Sequence, residues 1–310
     1  MTRLLAALTL AGAGVLSNPG WQASPATRPS APLLHISAVA YGPDDRPLAD
    51  LRKEDVEVWI GGYRIPIETL TVVDPTDMER GRLIVLLLDD TTLPPEMIPR
   101  VKDIARRFVN RMAPKDEMAI VALNRDAMES TSDRARLLQS INAVGLLQAT
   151  GVQRLEDIGA HVLRTVTTLS RQIVERPGRK AIIGIGVAAL FDTPIPPPTV
   201  SRSLLPEWTE AMRATASAGV TFYVVDPGGV GALPPFNGAS GFARETGGLA
   251  FLNTNDFDGV VNRILHEMSS YYVIDVADPP IRRTSDLRQL EVKVLRRGVT
   301  VRARRAIPGR

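Results

Sequence analysis

Two aspartates and two threonines follow a run of six apolar residues, and their side chains are the best suited in the chain to bind an ion or take part in a reaction. They are Asp89, Asp90, Thr91 and Thr92 in the segment "RLIVLLLDDTTLPPEMI". Carboxylate and hydroxyl oxygens are the ligands that Mg²⁺ prefers, and a carboxylate can also attack phosphorus. The aspartates can instead stabilise the amino end of the helix that follows. The residue types alone leave these three roles open.

The Asp-x-Thr spacing after an apolar strand resembles the nucleophilic aspartate motif of haloacid dehalogenase-type phosphatases. That chemistry also needs a second acid to hold Mg²⁺ and a lysine to neutralise the phosphate. No later Gly-Asp or Asp-Asp pair follows a suitable strand, and Leu93 stands where a polar residue is expected. A phosphatase-like hydrolase is therefore the least favoured interpretation of this segment.

Other motifs of catalysis or cofactor binding are missing from the sequence or stand in the wrong context. The histidines, His35, His161 and His266, lack the spacing of a zinc-binding helix, and no Gly-x-Ser-x-Gly turn occurs. The segment "GIGVAA" matches a dinucleotide-binding pattern, but the residues after it, "LFDTPIPPP", cannot open the required helix. Because the chain has no cysteine, disulfides and thiolate zinc sites are excluded. We predict no catalytic residue and no cofactor.

Alternating strand and helix patterns position the acidic corner. Between residues 80 and 277, apolar strands such as "RLIVLLLD", "KAIIGIGV" and "VTFYVVD" alternate with amphipathic helices, and "YYVIDV" is the last strand. This order predicts a doubly wound α/β domain with a mostly parallel sheet. Ligands of such sheets bind at the carboxyl ends of the strands, which is where Asp89 is expected.

Smaller β segments flank this domain. Residues 33–76 combine β-forming runs such as "HISAVAY" with turn residues and predict an N-terminal β unit. Residues 278–310 predict two strands around the turn "RRG", forming a basic hairpin that packs with the β unit or with the sheet. The 310 residues, 44% of them hydrophobic, are enough for cores of this size.

The first residues are typical of an export signal. Residues 1–24 hold a cationic Arg3, an apolar segment of about a dozen residues and a small, polar region, the order found in secretory signal peptides. The apolar segment is shorter than the roughly 20 residues that span a bilayer, which disfavours a membrane anchor. Residues 25–32 follow as a linker rich in proline and serine. We expect a periplasmic or extracellular protein without an integral membrane segment in its mature form.

Positive charge is concentrated at the carboxyl end. From Pro279 onward there are ten Lys/Arg residues against Asp286 and Glu291, which gives this stretch a charge of +8 in a chain of net charge +3. Such a stretch can contact acidic surfaces or anionic lipids, or it can be a solvated strand face. Nucleic acid is not an expected partner of an exported chain.

The order of these parts resembles that of the bacterial proteins with a von Willebrand factor A-related (VWFA-related) domain, a family of exported proteins. The resemblance covers nearly all of the chain after the signal segment. It implies an α/β domain that binds proteins, and in the best-known members a divalent ion at the top of the sheet contacts the ligand. The pieces that carry it are "GPDDRPLADLRKEDVEVWIGGY", "RLIVLLLDD", "RKAIIGIG", "TFYVVDPGG", "ETGG" and "SSYYVIDV" followed by "LEVKVLRRGVTVRARRA".

The metal-binding pattern of that family begins with Asp-x-Ser-x-Ser after the first strand. Asp89 matches its aspartate, and Thr91 can replace the first serine because both offer a hydroxyl oxygen. The second serine position is Leu93, which has no oxygen to offer. This part of the implied site is therefore incomplete.

The rest of the implied metal site matches the family pattern even less. Gln153 stands at the position of a threonine, with Thr150 close by, and Gly186 and Val187 replace Ser-Asp after the central strand. A Mg²⁺ site needs near-octahedral oxygen geometry anchored by one or two carboxylates. The resemblance thus implies a degenerate metal-dependent adhesion site.

We predict an exported, non-catalytic protein-protein interaction module that binds an unidentified protein partner without a metal. The first alternative is a Mg²⁺-dependent adhesion domain that uses Asp89 and Thr91, and the second is the phosphatase-like hydrolase. By analogy with the fold, the partner is expected at the rim of loops where the strands end. The residues predicted for this rim are Asp90, Thr92, Thr150, Gln153, Pro196 and Phe236.

Overall fold

The computed structural model describes most of the chain after the predicted linker. The described residues are 33–74, 81–123, 128–145, 155–187, 204–231, 237–278 and 287–309. The predicted signal peptide and linker, residues 1–24 and 25–32, lie outside them. No helix in the described ranges is long and apolar enough to cross a membrane.

The described residues form thirteen strands and six α-helices. The strands are β1 Leu33–Tyr41, β2 Val56–Ile60, β3 Tyr63–Ile65, β4 Ile67–Val73, β5 Leu83–Leu88, β6 Glu117–Ala122, β7 Lys180–Ile185, β8 Val220–Val225, β9 Ala250–Phe251, β10 Tyr271–Ala277, β11 Leu287–Val294, β12 Thr300–Ala303 and β13 Ala306–Pro308. The helices are α1 Ile98–Asn110, α2 Arg134–Ala143, α3 Leu155–Gln172, α4 Leu205–Ala218, α5 Asn237–Glu245 and α6 Phe257–Ser269.

Five strands form a parallel sheet in the order β6-β5-β7-β8-β9. Every residue of β5, β7 and β8 is buried, because helices cover both faces of the sheet. One face packs against α3, α4 and α5, and the other packs against α1, α2 and α6. The predicted α/β fold class, a doubly wound and mostly parallel sheet, is confirmed.

The helix after the acidic corner forms where its apolar spacing predicts. In α1 the side chains of Ile98, Val101, Ile104 and Phe108 recur every three or four residues and are all buried. Pro99 at the start of the helix has no N–H group to leave unsatisfied. The helix therefore lies against the sheet with its amino end next to the end of β5.

Two antiparallel sheets of four strands form a β-sandwich beside the α/β layers. Their strand orders are β12-β1-β10-β4 and β13-β11-β2-β3. Alternate residues of each strand, among them Ile36, Val58 and Ile274, fill the core between the sheets. The N-terminal β segment and all three strands of the carboxyl-terminal segment, β11, β12 and β13, belong to this sandwich.

The prediction that "YYVIDV" completes the parallel sheet is wrong. β10 pairs antiparallel with β1 and β4 instead. The reason is its alternation, since Tyr272, Ile274 and Val276 point into the sandwich core while Val273 and Asp275 are more exposed. A strand buried on both faces would not place an aspartate in its middle, and the short β9 occupies the edge of the parallel sheet.

The two strands around the turn "RRG", β11 and β12, do not pair with each other as the predicted hairpin. β11 pairs with β2 and β13, whereas β12 pairs with β1, so the turn between them carries the chain from one sheet to the other. The exposed Leu295 lies in this turn and donates its backbone N–H to the Asp55 carbonyl at 2.8 Å.

Much of the basic carboxyl-terminal segment points into the molecule. Arg288 is 4% exposed and donates to Asp278 Oδ1 at 2.7 Å. Arg304 donates to the carbonyl oxygen of Val220 at 2.9 Å, and burial together with the charge of Arg179 lowers the pKa of Arg304 to about 10. Arg304 thereby joins the sandwich to the α/β layers, whereas Arg288 is bound within the sandwich. The surface expected to contact acidic polymers or lipids is therefore smaller than the sequence suggests.

A buried glutamate of α6 connects the α/β layers to the sandwich. Glu267 is 1% exposed and accepts hydrogen bonds from Tyr41 at 2.5 Å and from Tyr223 at 3.0 Å. It also forms ion pairs with Arg302 of β12 and, at 3.4 Å, with Arg263 of its own helix. Burial and the charge of Glu267 raise the pKa of both tyrosines above the usual range. One carboxylate thereby contacts side chains from β1, β8 and β12.

Replacing this glutamate is expected to destabilise the protein strongly. Glu267→Ala leaves Arg302 in the interior without its carboxylate partner, which costs about 3–5 kcal/mol of unfolding free energy. Glu291→Ala is the matched control, because it removes a surface ion pair with Lys293 and changes the free energy by less than about 1 kcal/mol. Urea unfolding measures both values, and equal losses for the two variants would contradict the role given to Glu267.

Candidate functional site

The carboxyl ends of the parallel strands bring separate loops to one edge of the sheet. Asp89 follows β5, Gly186 follows β7 and Asp226 follows β8. The backbone N–H of Asp89 donates to the carbonyl of Ile185, and that of Gly186 donates to the carbonyl of Val225, both at 3.0 Å. The acidic corner is thereby fixed directly beside the loop after the central strand.

The carboxylate of Asp89 is used by its own loop. The side chain is 0% exposed. Its Oδ1 accepts hydrogen bonds from the backbone N–H groups of Thr91 and Thr92, each at 2.9 Å, and from the Thr91 hydroxyl at 3.1 Å. Its Oδ2 accepts from the Thr92 hydroxyl. Four donors therefore replace the water that this buried carboxylate has lost.

An apolar side chain covers the side of Asp89 where further oxygen ligands would stand. Gly186 has φ +91°, and a Cβ atom placed on it would lie 2.5 Å from Leu93 Cδ1 and 3.0 Å from Asp89 Cβ. The Leu93 side chain thus packs directly on the Gly186 backbone. The space that an opposite carboxylate or hydroxyl would need is filled by carbon.

These residues do not fit the metal that the family resemblance implies. The oxygens of Asp89 and Thr91 already bind each other, and Leu93 and Gly186 offer no side-chain oxygen. In the described ranges no group of three or more His, Asp or Glu side chains could hold an ion. The geometry does not fit the phosphatase alternative either, because a nucleophilic carboxylate needs an oxygen within reach of the substrate.

The other predicted site residues divide into two groups. Asp90 is 1% exposed and is therefore not a contact residue of the rim, whereas Thr92 is half-buried and lies at its surface. The remaining predicted rim residues lie outside the described part of the chain, so the structure neither supports nor contradicts them. They are Thr150, Gln153, Pro196 and Phe236.

A second rim feature lies in the turn after β8. The Asp226 side chain accepts from the Gly228 N–H at 2.9 Å, and Asn255 Oδ1 accepts from the Val230 N–H at 3.3 Å. Asn253 Oδ1 accepts from the next N–H, that of Gly231, at 2.9 Å. The turn is thus held at several points, and it presents the Val230 side chain, which is 64% exposed.

Arg100 of α1 is bound to the same turn. Its Nη1 donates to the carbonyl oxygens of Pro227 at 3.0 Å and Gly228 at 3.2 Å. A helix dipole disfavours a cation in the first turn of a helix, so an arginine at this position needs another partner. That mismatch is the sequence signal that could have singled out Arg100.

Comparison with known proteins identifies no family. No family model and no curated protein sequence matches the chain. Among solved structures, the chain is similar to the human COPII-coat protein Sec24c, with 8% identity, a TM-score of 0.36, and coverage of 74% of this chain and 43% of that chain. It is also similar to the TFIIH p34 N-terminal domain, with 15% identity, a TM-score of 0.32, and coverage of 60% and 97%.

The chain thus spans less than half of the Sec24c chain that it matches. At these identities and TM-scores, neither likeness says anything about the activity of this chain.

The hydrogen bonds of Asp89 predict a structural effect of its removal. Asp89→Ala leaves two backbone N–H groups and two hydroxyls without their acceptor and is expected to lower the unfolding free energy by about 3 kcal/mol. Asp89→Asn keeps one acceptor oxygen and is expected to cost about 1 kcal/mol. Urea unfolding in the presence of EDTA checks both values. If the Asp89→Ala variant were as stable as the wild type, the structural role given to the Asp89 carboxylate would be contradicted.

The contact between Leu93 and Gly186 predicts a difference between two glycines. Gly186→Ala adds both backbone strain and a clash with Leu93, whereas Gly62→Ala adds strain alone, because Gly62 has φ +87° and nothing within 4 Å of an added Cβ. We expect Gly62→Ala to cost about 1 kcal/mol and Gly186→Ala to cost about 2 kcal/mol more.

The double variant Leu93→Ala and Gly186→Ala separates these two causes. Removing the leucine side chain relieves the clash, so the double variant is expected to lose less stability than the sum of the single variants. Thermal or urea unfolding gives the four values. Strict additivity would show that the two residues do not contact each other as described.

Proposed function

We propose that the chain is an exported, non-catalytic module that binds a protein partner at the rim formed by the loops after β5 and β8, without a metal ion. The architecture supports this proposal, because open α/β sheets place their ligand sites at the carboxyl ends of the strands. A sheet edge with rigid loops and an exposed apolar side chain suits a protein surface better than a small polar substrate.

The observation that carries the proposal is the self-contained hydrogen bonding of Asp89. In a metal-dependent adhesion domain this carboxylate would have to turn an oxygen towards the ion and the ligand. Here the four donors of Thr91 and Thr92 hold it inward, and Leu93 covers the neighbouring position. Any partner contact in the described part of this rim is therefore made by other groups.

Each of the two alternatives requires the loop around Asp89 to rearrange. A Mg²⁺-dependent site would need Asp89 and Thr91 to give up their mutual hydrogen bonds and Leu93 to move away from Gly186. A phosphatase-like site would need Asp89 to become accessible, and it is 0% exposed. Both changes would remove hydrogen bonds from a buried carboxylate, which is costly.

Photo-crosslinking in the cells that make this protein tests the proposal. A photoreactive amino acid at Thr92, on the rim, is expected to give a discrete adduct with one protein in the exported fraction. The adduct should persist in EDTA, because no ion is needed. Lys115 is the matched control, since it is exposed and lies before β6, at the opposite end of the sheet.

Three results would count against the proposal. Equal adducts at Thr92 and Lys115 would argue against a partner at the rim. An adduct that disappears in EDTA and returns with Mg²⁺ would favour the metal-dependent alternative. Recovery of the adduct only from a non-exported fraction would contradict the proposed location.

A further inference from the structure

The Arg100 guanidinium is held at the rim with unused hydrogen-bonding capacity. Among the described residues its hydrogen-bond partners are the carbonyls of Pro227 and Gly228, both bound by Nη1, and the residue is exposed. Within the described ranges it forms no ion pair with a carboxylate, although Asp103 lies one turn further along the same helix and pairs with Arg107 instead. Its remaining N–H donors and its charge are therefore available to a ligand.

The local charge favours an anionic group at this position. The first turn of α1 contains no acidic residue, and within the described ranges Glu96 of the preceding 3₁₀ turn makes no ion pair with the guanidinium. The only carboxylate of the neighbouring turn, Asp226, binds the N–H of Gly228 at 2.9 Å. Arginine recognises carboxylates through paired N–H donors in a fixed plane.

Val230 places an exposed apolar side chain in the turn that Arg100 binds. The valine lies two residues after Gly228, whose carbonyl accepts from Arg100, and 64% of its surface is exposed. Between them Gly229 has φ +76°, and a Cβ on it would collide with Asn255 Oδ1 and lie 3.3 Å from Arg100 Nη1. Only glycine lets the arginine, the asparagine and the turn approach so closely.

The pair is preorganised for binding. Asn253 and Asn255 fix the N–H groups of Gly231 and Val230, and Arg100 fixes the carbonyls before them. A rigid turn loses little conformational entropy when a ligand binds, which favours affinity. Fixed side chains of this kind serve as anchor points in protein interfaces.

We propose that Arg100 and Val230 form a docking site for a protein segment in which an aspartate or glutamate stands beside an apolar residue. The carboxylate binds the free N–H donors of Arg100, and the apolar side chain packs on Val230. This inference rests on the proposed function. It adds the chemistry of the partner, since the fixed cation selects an acidic ligand.

Selection from a random-peptide phage library on the immobilised full chain tests this inference. The wild type is expected to enrich peptides with Asp or Glu adjacent to Leu, Ile, Val or Phe. Binding of the enriched peptides should weaken roughly tenfold or more in Arg100→Gln, because a charge-assisted hydrogen bond is lost. It should also weaken in Val230→Ser.

Two matched variants control for indirect effects. Arg106→Gln removes an arginine of the same helix whose hydrogen-bond partner within the described ranges is Asn142. Leu295→Ser removes an exposed apolar side chain in the turn between β11 and β12. Both are expected to bind the enriched peptides as the wild type does. Arg100→Glu adds a test by gain of binding, since it should select peptides with Lys or Arg in place of the acid.

Several results would overturn the inference. Enrichment of peptides without an acid, or unchanged binding by Arg100→Gln, would show that Arg100 does not select the ligand, and the proposed function would survive. No enrichment on the wild type would overturn the docking of such a segment. Equal losses in the control variants would mean that the weaker binding is not specific to Arg100 and Val230. If Arg100→Glu then still selected acidic peptides, the inference would be overturned.

Discussion

A carboxylate can be buried only if hydrogen bonds or positive charges replace the water that it loses. At the rim of the sheet, Asp89 meets this constraint through Thr91 and Thr92, its neighbours in the chain. These hydrogen bonds close the loop after β5 into a compact turn and direct both carboxylate oxygens inward. The chain then passes through a 3₁₀ turn, Pro95–Met97, into α1, which carries Arg100.

The same constraint joins the two halves of the molecule through Glu267. Here the compensating groups come from distant parts of the sequence, namely Tyr41 of β1, Tyr223 of β8 and Arg302 of β12. Such a network contributes to stability only while it is complete, because the loss of one member leaves the others buried and unpaired. The stability of the α/β layers therefore depends on the sandwich, because the sandwich supplies partners of a charge that lies within those layers.

Local patterns in the sequence predicted the parts of the fold that depend on local burial. The continuous apolar run of β5 and the helical spacing of α1 leave few alternatives, because each pattern fits one environment. The placement of β10 could not be predicted from order alone, and only the aspartate in its middle indicated a strand with one exposed face. The inward course of Arg288, Arg302 and Arg304 depends on carbonyls and carboxylates far away in sequence, which a count of charges does not show.

The candidate site was predictable only in part for the same reason. The loss of oxygen ligands at Leu93 and Gly186 is visible in the sequence. The packing of Leu93 on Gly186 and the binding of Arg100 to the turn after β8 are contacts between separate loops. Residue types establish which chemistry is missing, whereas the fold determines which groups replace it.

Calorimetric titration of the protein with Mg²⁺, Mn²⁺ and Ca²⁺ tests the central claim most directly, which is that Asp89 serves its own loop and no ion. The structure predicts no saturable heat with any of the three ions at millimolar concentrations. Saturable binding that is abolished by Thr91→Val would contradict this claim, because the ion would then bind oxygens that form hydrogen bonds within the loop.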